Sequence, residues 1–136
     1  MDMLLFMTLA LASGGSTLSV DFPHGGCRLT VHEDGGGTIA YAALPQQVRI
    51  EAGTFDPAEV TARLRSSSFP QAERPIDDGR GSVSLPDASP LRSIADGAMV
   101  RRLLQRAWDA RLPPASRLDT DAIDLIGRTC GLDQER

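Results

Sequence analysis

Lysine and asparagine are both missing from the 136 residues, so all fourteen basic side chains are arginine. Codons for both missing residues are A-rich, and a GC-rich bacterial genome is the simplest source of such a chain. The absence also removes chemistry. There is no Schiff-base or phosphate-loop lysine, no Asn-linked glycan and no Cys-His-Asn set. Two His, two Cys and one Tyr leave few catalytic constellations to build. Aromatic residues are scarce at 4%, so Leu, Val, Ile and Ala must make the core. Long apolar runs are missing as well: the longest, Leu4 to Ala12, is too short for a membrane helix. It precedes no charged flank and follows Met1-Asp2-Met3, which supplies no basic residue, so we read it as a buried central strand. The alternative is a signal peptide over residues 1–12, for which Ala10-Leu11-Ala12 resembles a cleavage site.

What is present fits one α+β domain over residues 1–136. A chain of this length buries about 68% of the surface its unfolded form exposes, enough for a single core. Hydrophobic residues at 41% and charged residues at 24% are globular proportions. The net charge of −4 is uneven, because residues 92 to 117 hold six Arg against Asp96 and Asp109. An acidic body with one basic helix is unlike a nucleic-acid binder, whose domain is normally basic throughout. Cys27 and Cys130 lie far apart without a CxxC motif, and we read them as reduced thiols in a cytoplasmic protein. A bridge between them is the alternative, and sequence does not reveal whether their geometry permits it. The signal-peptide alternative would instead place the protein in the periplasm.

Residues 1–53 read as a strand meander. Leu18, Val20 and Phe22 alternate with Ser19 and Asp21; after Pro23-His24-Gly25-Gly26, Cys27, Leu29 and Val31 alternate with Arg28, Thr30 and His32. The turn Glu33-Asp34-Gly35-Gly36-Gly37 leads into Thr38–Ala42, and a further run places Val48, Ile50 and Ala52 on one face. With the N-terminal run this makes an antiparallel sheet of five or more strands. In Phe55-Asp56-Pro57-Ala58-Glu59-Val60, Asp56 suits the N-cap, Pro57 the first helical position and Glu59 the reciprocal capping-box carboxylate, with Phe55 and Val60 as a staple. This helix covers residues 56–65 and lies at one sheet edge. Residues 69–81 form an exposed loop. Ser82–Leu85 and Leu91–Ile94 are short strands able to extend the sheet. The main helix, residues 96–112, opens at Asp96, buries Met99, Val100, Leu103, Leu104, Ala107 and Trp108, and stops at Pro113-Pro114. A short third helix spans 119–128. Two to three helices therefore cover the sheet.

His24, Cys27 and His32 have no strong zinc spacing, and strand alternation sends Cys27 inward and His32 outward, so no metal or other cofactor is expected. No GxSxG motif is present, and neither cysteine stands where a thiolate is activated. The glycine runs read as hairpin turns, since no helix follows to point amides at an anion. No catalytic residue is assigned and no enzymatic activity is expected. Exposed charge remains: Glu33, Asp34, Asp77 and Asp78 on loops, and Arg102 and Arg106 four residues apart on the outer face of the main helix.

The Gly-Gly-linked early strands, the Leu-Thr-Val-His-Glu-Asp-Gly-Gly-Gly turn, the Gly-Thr-Phe-Asp-Pro-Ala-Glu-Val junction and the later Arg-rich helix resemble, in overall plan over residues 3 to 112, small bacterial immunity or inhibitor proteins. That resemblance implies a non-catalytic protein that neutralises a cognate toxin or effector by direct binding. Its partner is a protein, not nucleic acid or a membrane. Competing expectations are an adaptor subunit of a bacterial secretion or envelope assembly, and a small hydrolase built from His24, His32 and loop carboxylates. The residues expected to meet the partner are Glu33, Asp34, Asp77, Asp78, Arg102 and Arg106.

Overall fold

In a computed structural model, residues 18–21, 26–70, 81–86 and 92–132 are described. The N-terminal apolar run, His24 and the acidic pair Asp77 and Asp78 lie outside the described residues. Alternation of small apolar and polar residues produces seven strands: β1 (Leu18–Asp21), β2 (Cys27–Val31), β3 (Gly37–Tyr41), β4 (Gln47–Ile50), β5 (Ser68–Pro70), β6 (Ser82–Ser84) and β7 (Arg92–Ile94). Among the described residues three helices accompany them: α1 (Pro57–Ser66), α2 (Gly97–Asp109) and α3 (Arg117–Thr129). The expected α+β class is correct, with one antiparallel sheet in the order β4-β3-β2-β1-β6-β7-β5.

Strands β1 to β4 form the expected meander. The chain then leaves β4 at one edge, passes through α1 and returns as β5 at the other edge. Register sets the inward face: Val83, Val20, Leu29, Ile39 and Val48 are successive cross-strand partners and all are fully buried. The helices lay Val60 and Leu64, Met99 through Trp108, and Ile123 and Ile126 into the same cluster. All six apolar positions expected on the main helix are buried. Each fully buried Val, Leu or Met contributes about 1.5–3 kcal/mol, which makes α2 the principal cover of the sheet.

Several boundaries differ from the sequence reading. Ala52 is exposed in a turn, because β4 ends at Ile50. Phe69 and Pro70, read as the start of the 69–81 loop, belong with Ser68 to the edge strand β5, and residues 71–80 of that loop lie outside the described residues. Arg92 fixes β5, its Nε donating to Ser68 Oγ at 2.7 Å and its Nη2 to the Ser68 carbonyl at 2.9 Å. Helix α2 ends at Asp109 rather than 112. Ala110–Leu112 instead run beside β4, with Glu51 N donating to the Ala110 carbonyl at 3.1 Å and Leu112 N to the Arg49 carbonyl at 2.8 Å. That segment satisfies a sheet edge that would otherwise offer unpaired amides. Helix α3 begins two residues earlier than read, since the Ser116 hydroxyl, not an aspartate, accepts the Asp119 amide at 3.2 Å.

The cysteines are not reduced thiols. Cys27, buried at the start of β2, is joined to Cys130 at the C-cap of α3, with Cα atoms 6.0 Å apart. The inward direction read for Cys27 is correct, and that direction is what brings it under the end of α3. The bridge closes a loop over a separation of 103 residues and clamps the last helix to the middle of the meander.

Replacing both cysteines by serine should lower unfolding free energy by about 2 to 5 kcal/mol, measured by denaturant titration. Dithiothreitol should reproduce the loss in the unmodified protein and leave the double variant unchanged. Leu103→Ala should cost about 2 to 5 kcal/mol in the same titration; a loss below about half a kcal/mol, against that range, would contradict the packing of α2.

Candidate interaction surface

The Asp34-Gly35-Gly36-Gly37 turn shows why a run of glycine stands there. Gly35 takes φ +83°, a left-handed conformation that costs glycine little. A Cβ at Gly36 would lie 2.8 Å from the Ile50 carbonyl oxygen, and one at Gly37 would be driven into the Thr30 carbonyl. Three backbone segments meet here with no room for side chains. The turn closes through His32 N to the Gly36 carbonyl at 2.9 Å and Gly35 N to the His32 carbonyl at 3.0 Å.

The absent side chains let the β4–α1 loop dock on the turn by its backbone. Gly53 N donates to the Asp34 carbonyl at 2.8 Å, and Phe55 N to the Gly35 carbonyl at 2.9 Å. Within the loop, the Thr54 hydroxyl donates to the Glu51 carbonyl at 2.6 Å. Phe55 is thereby set into the core immediately before Asp56, whose Oδ1 accepts the Ala58 amide at 3.2 Å and the Glu59 amide at 3.5 Å. The expected cap and staple positions are correct. The reciprocal half of the capping box is not made: Glu59 turns along the helix to Arg63, at 2.9 Å. Both groups are more than half exposed, so this pair contributes little to stability.

Helix α2 completes the surface. Leu103 points inward, and Arg106, one turn later, reaches over the Phe55 ring with its guanidinium carbon 5.8 Å from the centroid. A groove of about 280 Å³ follows, in which buried Phe55, Val60 and Leu103 are bordered by exposed Asp56, Glu59 and Arg106. On the other side of Arg106 lies an open hollow between Glu51, Ala52 and Asp109. Asp109 does not relieve Arg106 as its i+3 spacing suggests. It accepts a hydrogen bond from Gln105 Nε2 at 3.0 Å.

Of the residues singled out from the sequence, Glu33 is exposed on the turn, and Asp34 is exposed but occupied. Asp34 Oδ1 accepts the Gly36 amide at 2.8 Å, so this residue, read from the sequence only as an exposed partner-facing charge, also closes the turn. Arg102 is exposed on α2 and lies outside the groove. Arg106 lines both the groove and the open hollow. The acidic turn and Arg106 thus each contact the 51–55 loop, the turn through Gly53 and Phe55 and the arginine through the Phe55 ring. Sequence reasoning missed Glu51, Phe55, Glu59 and Arg63 as surface-builders, having treated the Phe55–Val60 segment only as a helix start. Among the described residues no three His, Cys, Asp or Glu side chains are grouped to hold a metal, and no helix is long and apolar enough to cross a membrane. Cys27, as half of a disulfide, offers no thiolate to a metal.

No family model, curated protein or solved structure matches this chain.

Asp56→Ala should lower stability by about 0.5 to 2 kcal/mol in a thermal or denaturant titration. Glu59→Ala should have a smaller effect. Silence of both would mean that α1 does not depend on its cap.

Proposed function

We propose that this is a non-catalytic binding protein of the bacterial immunity or inhibitor kind, which neutralises a cognate toxin or effector by direct contact. The observation that supports the reading is the pair of loops at one end of the sheet. They are joined backbone to backbone through Gly53 and Phe55, and they carry exposed charge beside a shallow groove. Such loops lose little conformational freedom on association, which favours tight binding without a deep pocket. Exposed groups of both signs, Glu33 and Glu51 on the loops and Arg102 and Arg106 on α2, supply orientation and a fast encounter.

The disulfide favours a particular compartment for this activity. Bridges of this kind persist in oxidising surroundings and are rare where glutathione and thioredoxin keep thiols reduced. The pairing of Cys27 with Cys130 therefore supports the periplasmic alternative over the cytoplasmic one.

The product of the neighbouring gene is the partner to test first. Cells expressing that product should survive when this protein is co-expressed, and the purified pair should form a complex in calorimetry. Glu33→Lys should slow association and change its salt dependence while leaving thermal stability nearly unchanged. Absence of both protection and complex formation would refute the reading. Thiol alkylation in intact cells tests the compartment: the protein should be labelled only after reduction, and labelling of both cysteines without reductant would return it to the cytoplasm.

A further inference from the structure

We propose that Arg106 is the anchor of the binding surface, and that it receives a carboxylate from an acidic protein segment carrying an apolar residue beside the acid. This rests on the binding reading above and names the partner's chemistry at the groove. Each carboxylate that borders the groove is already engaged. Asp56 accepts the α1 amides, and Glu59 is paired with Arg63 at 2.9 Å. In the adjoining hollow, Asp109 is held by Gln105 at 3.0 Å, and Glu51 makes no ion pair with Arg106. Among the described residues, the Arg106 guanidinium is left exposed with no carboxylate partner.

It is nevertheless held in place. The buried Phe55 ring lies beneath it, and Phe55 is itself fixed by the backbone hydrogen bond to Gly35. At 5.8 Å from the ring centroid the guanidinium lies within cation–π range of Phe55, and its planar fork of donors suits bidentate capture of a carboxylate. Arginines of this kind dominate interface energetics when their surroundings can be desolvated. Here Phe55, Val60 and Leu103 give the groove an apolar floor for a neighbouring aliphatic side chain. Arg102 lies one helical turn before Arg106 and likewise makes no ion pair among the described residues, so a bound carboxylate relieves a like-charge i,i+4 contact.

The same surroundings disfavour a nucleic acid. A continuous polyanion crossing the groove would meet Asp56 and Glu59 at its border, on a chain whose net charge is −4. A single carboxylate flanked by apolar atoms meets no such repulsion.

The test is an NMR titration of the full chain with a short capped Gly-Leu-Glu-Gly-Gly peptide, which carries one carboxylate, with the corresponding Gln peptide and a single-stranded oligonucleotide as the other arms. The Glu peptide should shift the Arg106 Nε–H resonance and the amides of Gly53 and Phe55, and the Gln peptide should shift neither. Arg106→Ala should weaken the peptide by about tenfold or more, and Arg106→Lys should restore only part, because an ammonium lacks the planar fork. Should the alanine variant fail to fold, Arg106→Gln serves in its place. Unchanged affinity in the Arg106 variants, shifts confined to other surfaces, no binding at all, or tighter binding of the oligonucleotide would each overturn the proposal. If the neighbouring gene's product binds the Arg106→Ala protein at full strength, the anchor is wrong and the binding reading stands. If that product does not bind the unmodified protein, the binding reading itself fails.

Discussion

The close approach of backbones at Gly35, Gly36 and Gly37 is the constraint from which the candidate surface follows. Without side chains there, the β2–β3 turn accepts the 51–55 loop directly onto its carbonyl groups. The loop in turn fixes Phe55, Phe55 supports Arg106, and Asp56 starts α1 at a defined point. A side chain at Gly35 or Gly36 would push the loop away and loosen every later member of that series, and one at Gly37 would strike the Thr30 carbonyl of β2. A stretch that resembles a flexible linker in composition is thus a crowded backbone junction.

A second restraint sits at the opposite end of β2. Cys27 begins the strand and the turn follows its other end, so the disulfide and the loop junction hold the two ends of one central strand. Between them the inward-facing row of Val83, Val20, Leu29, Ile39 and Val48 supplies the apolar surface on which α2 rests. Cross-linking mainly restricts the unfolded chain, whereas packing stabilises the folded one, and the two effects act on different states. Helix α3 leaves Leu118 and Leu125 exposed, buries Ile123 and Ile126, and is tied at its C-terminal end by the disulfide.

Local signals were legible in the residues, and non-local ones were not. Strand alternation around Cys27, Leu29 and Val31, the Asp56-Pro57 cap and the Met99–Trp108 stripe each depend on neighbours a few positions away, and each was read correctly. The edge strand Ser68–Pro70 is too short for a period and exists because Arg92, distant in sequence, holds it. The disulfide required knowing that α3 ends above β2. Arg106 was legible as an exposed cation, but its seat on Phe55 depends on a loop docking that no spacing reveals. Asp34 misled for the opposite reason, since an exposed carboxylate in a glycine-rich turn looked idle while its side chain was closing that turn.

The proposed binding role rests on a surface held rigid before any partner arrives. Its loops are tied to each other, its arginine lies over the Phe55 ring, and the carboxylates that border the groove already have local partners. Amide hydrogen exchange with and without the neighbouring gene's product tests that claim most directly. Residues 33–36, 51–56 and the exposed face of α2 should be slowed by the partner, while the Gly53 and Phe55 amides should already be protected in the free protein. Protection confined to the outer face of the sheet or to α3, or rapid exchange of Gly53 and Phe55 before binding, would contradict it.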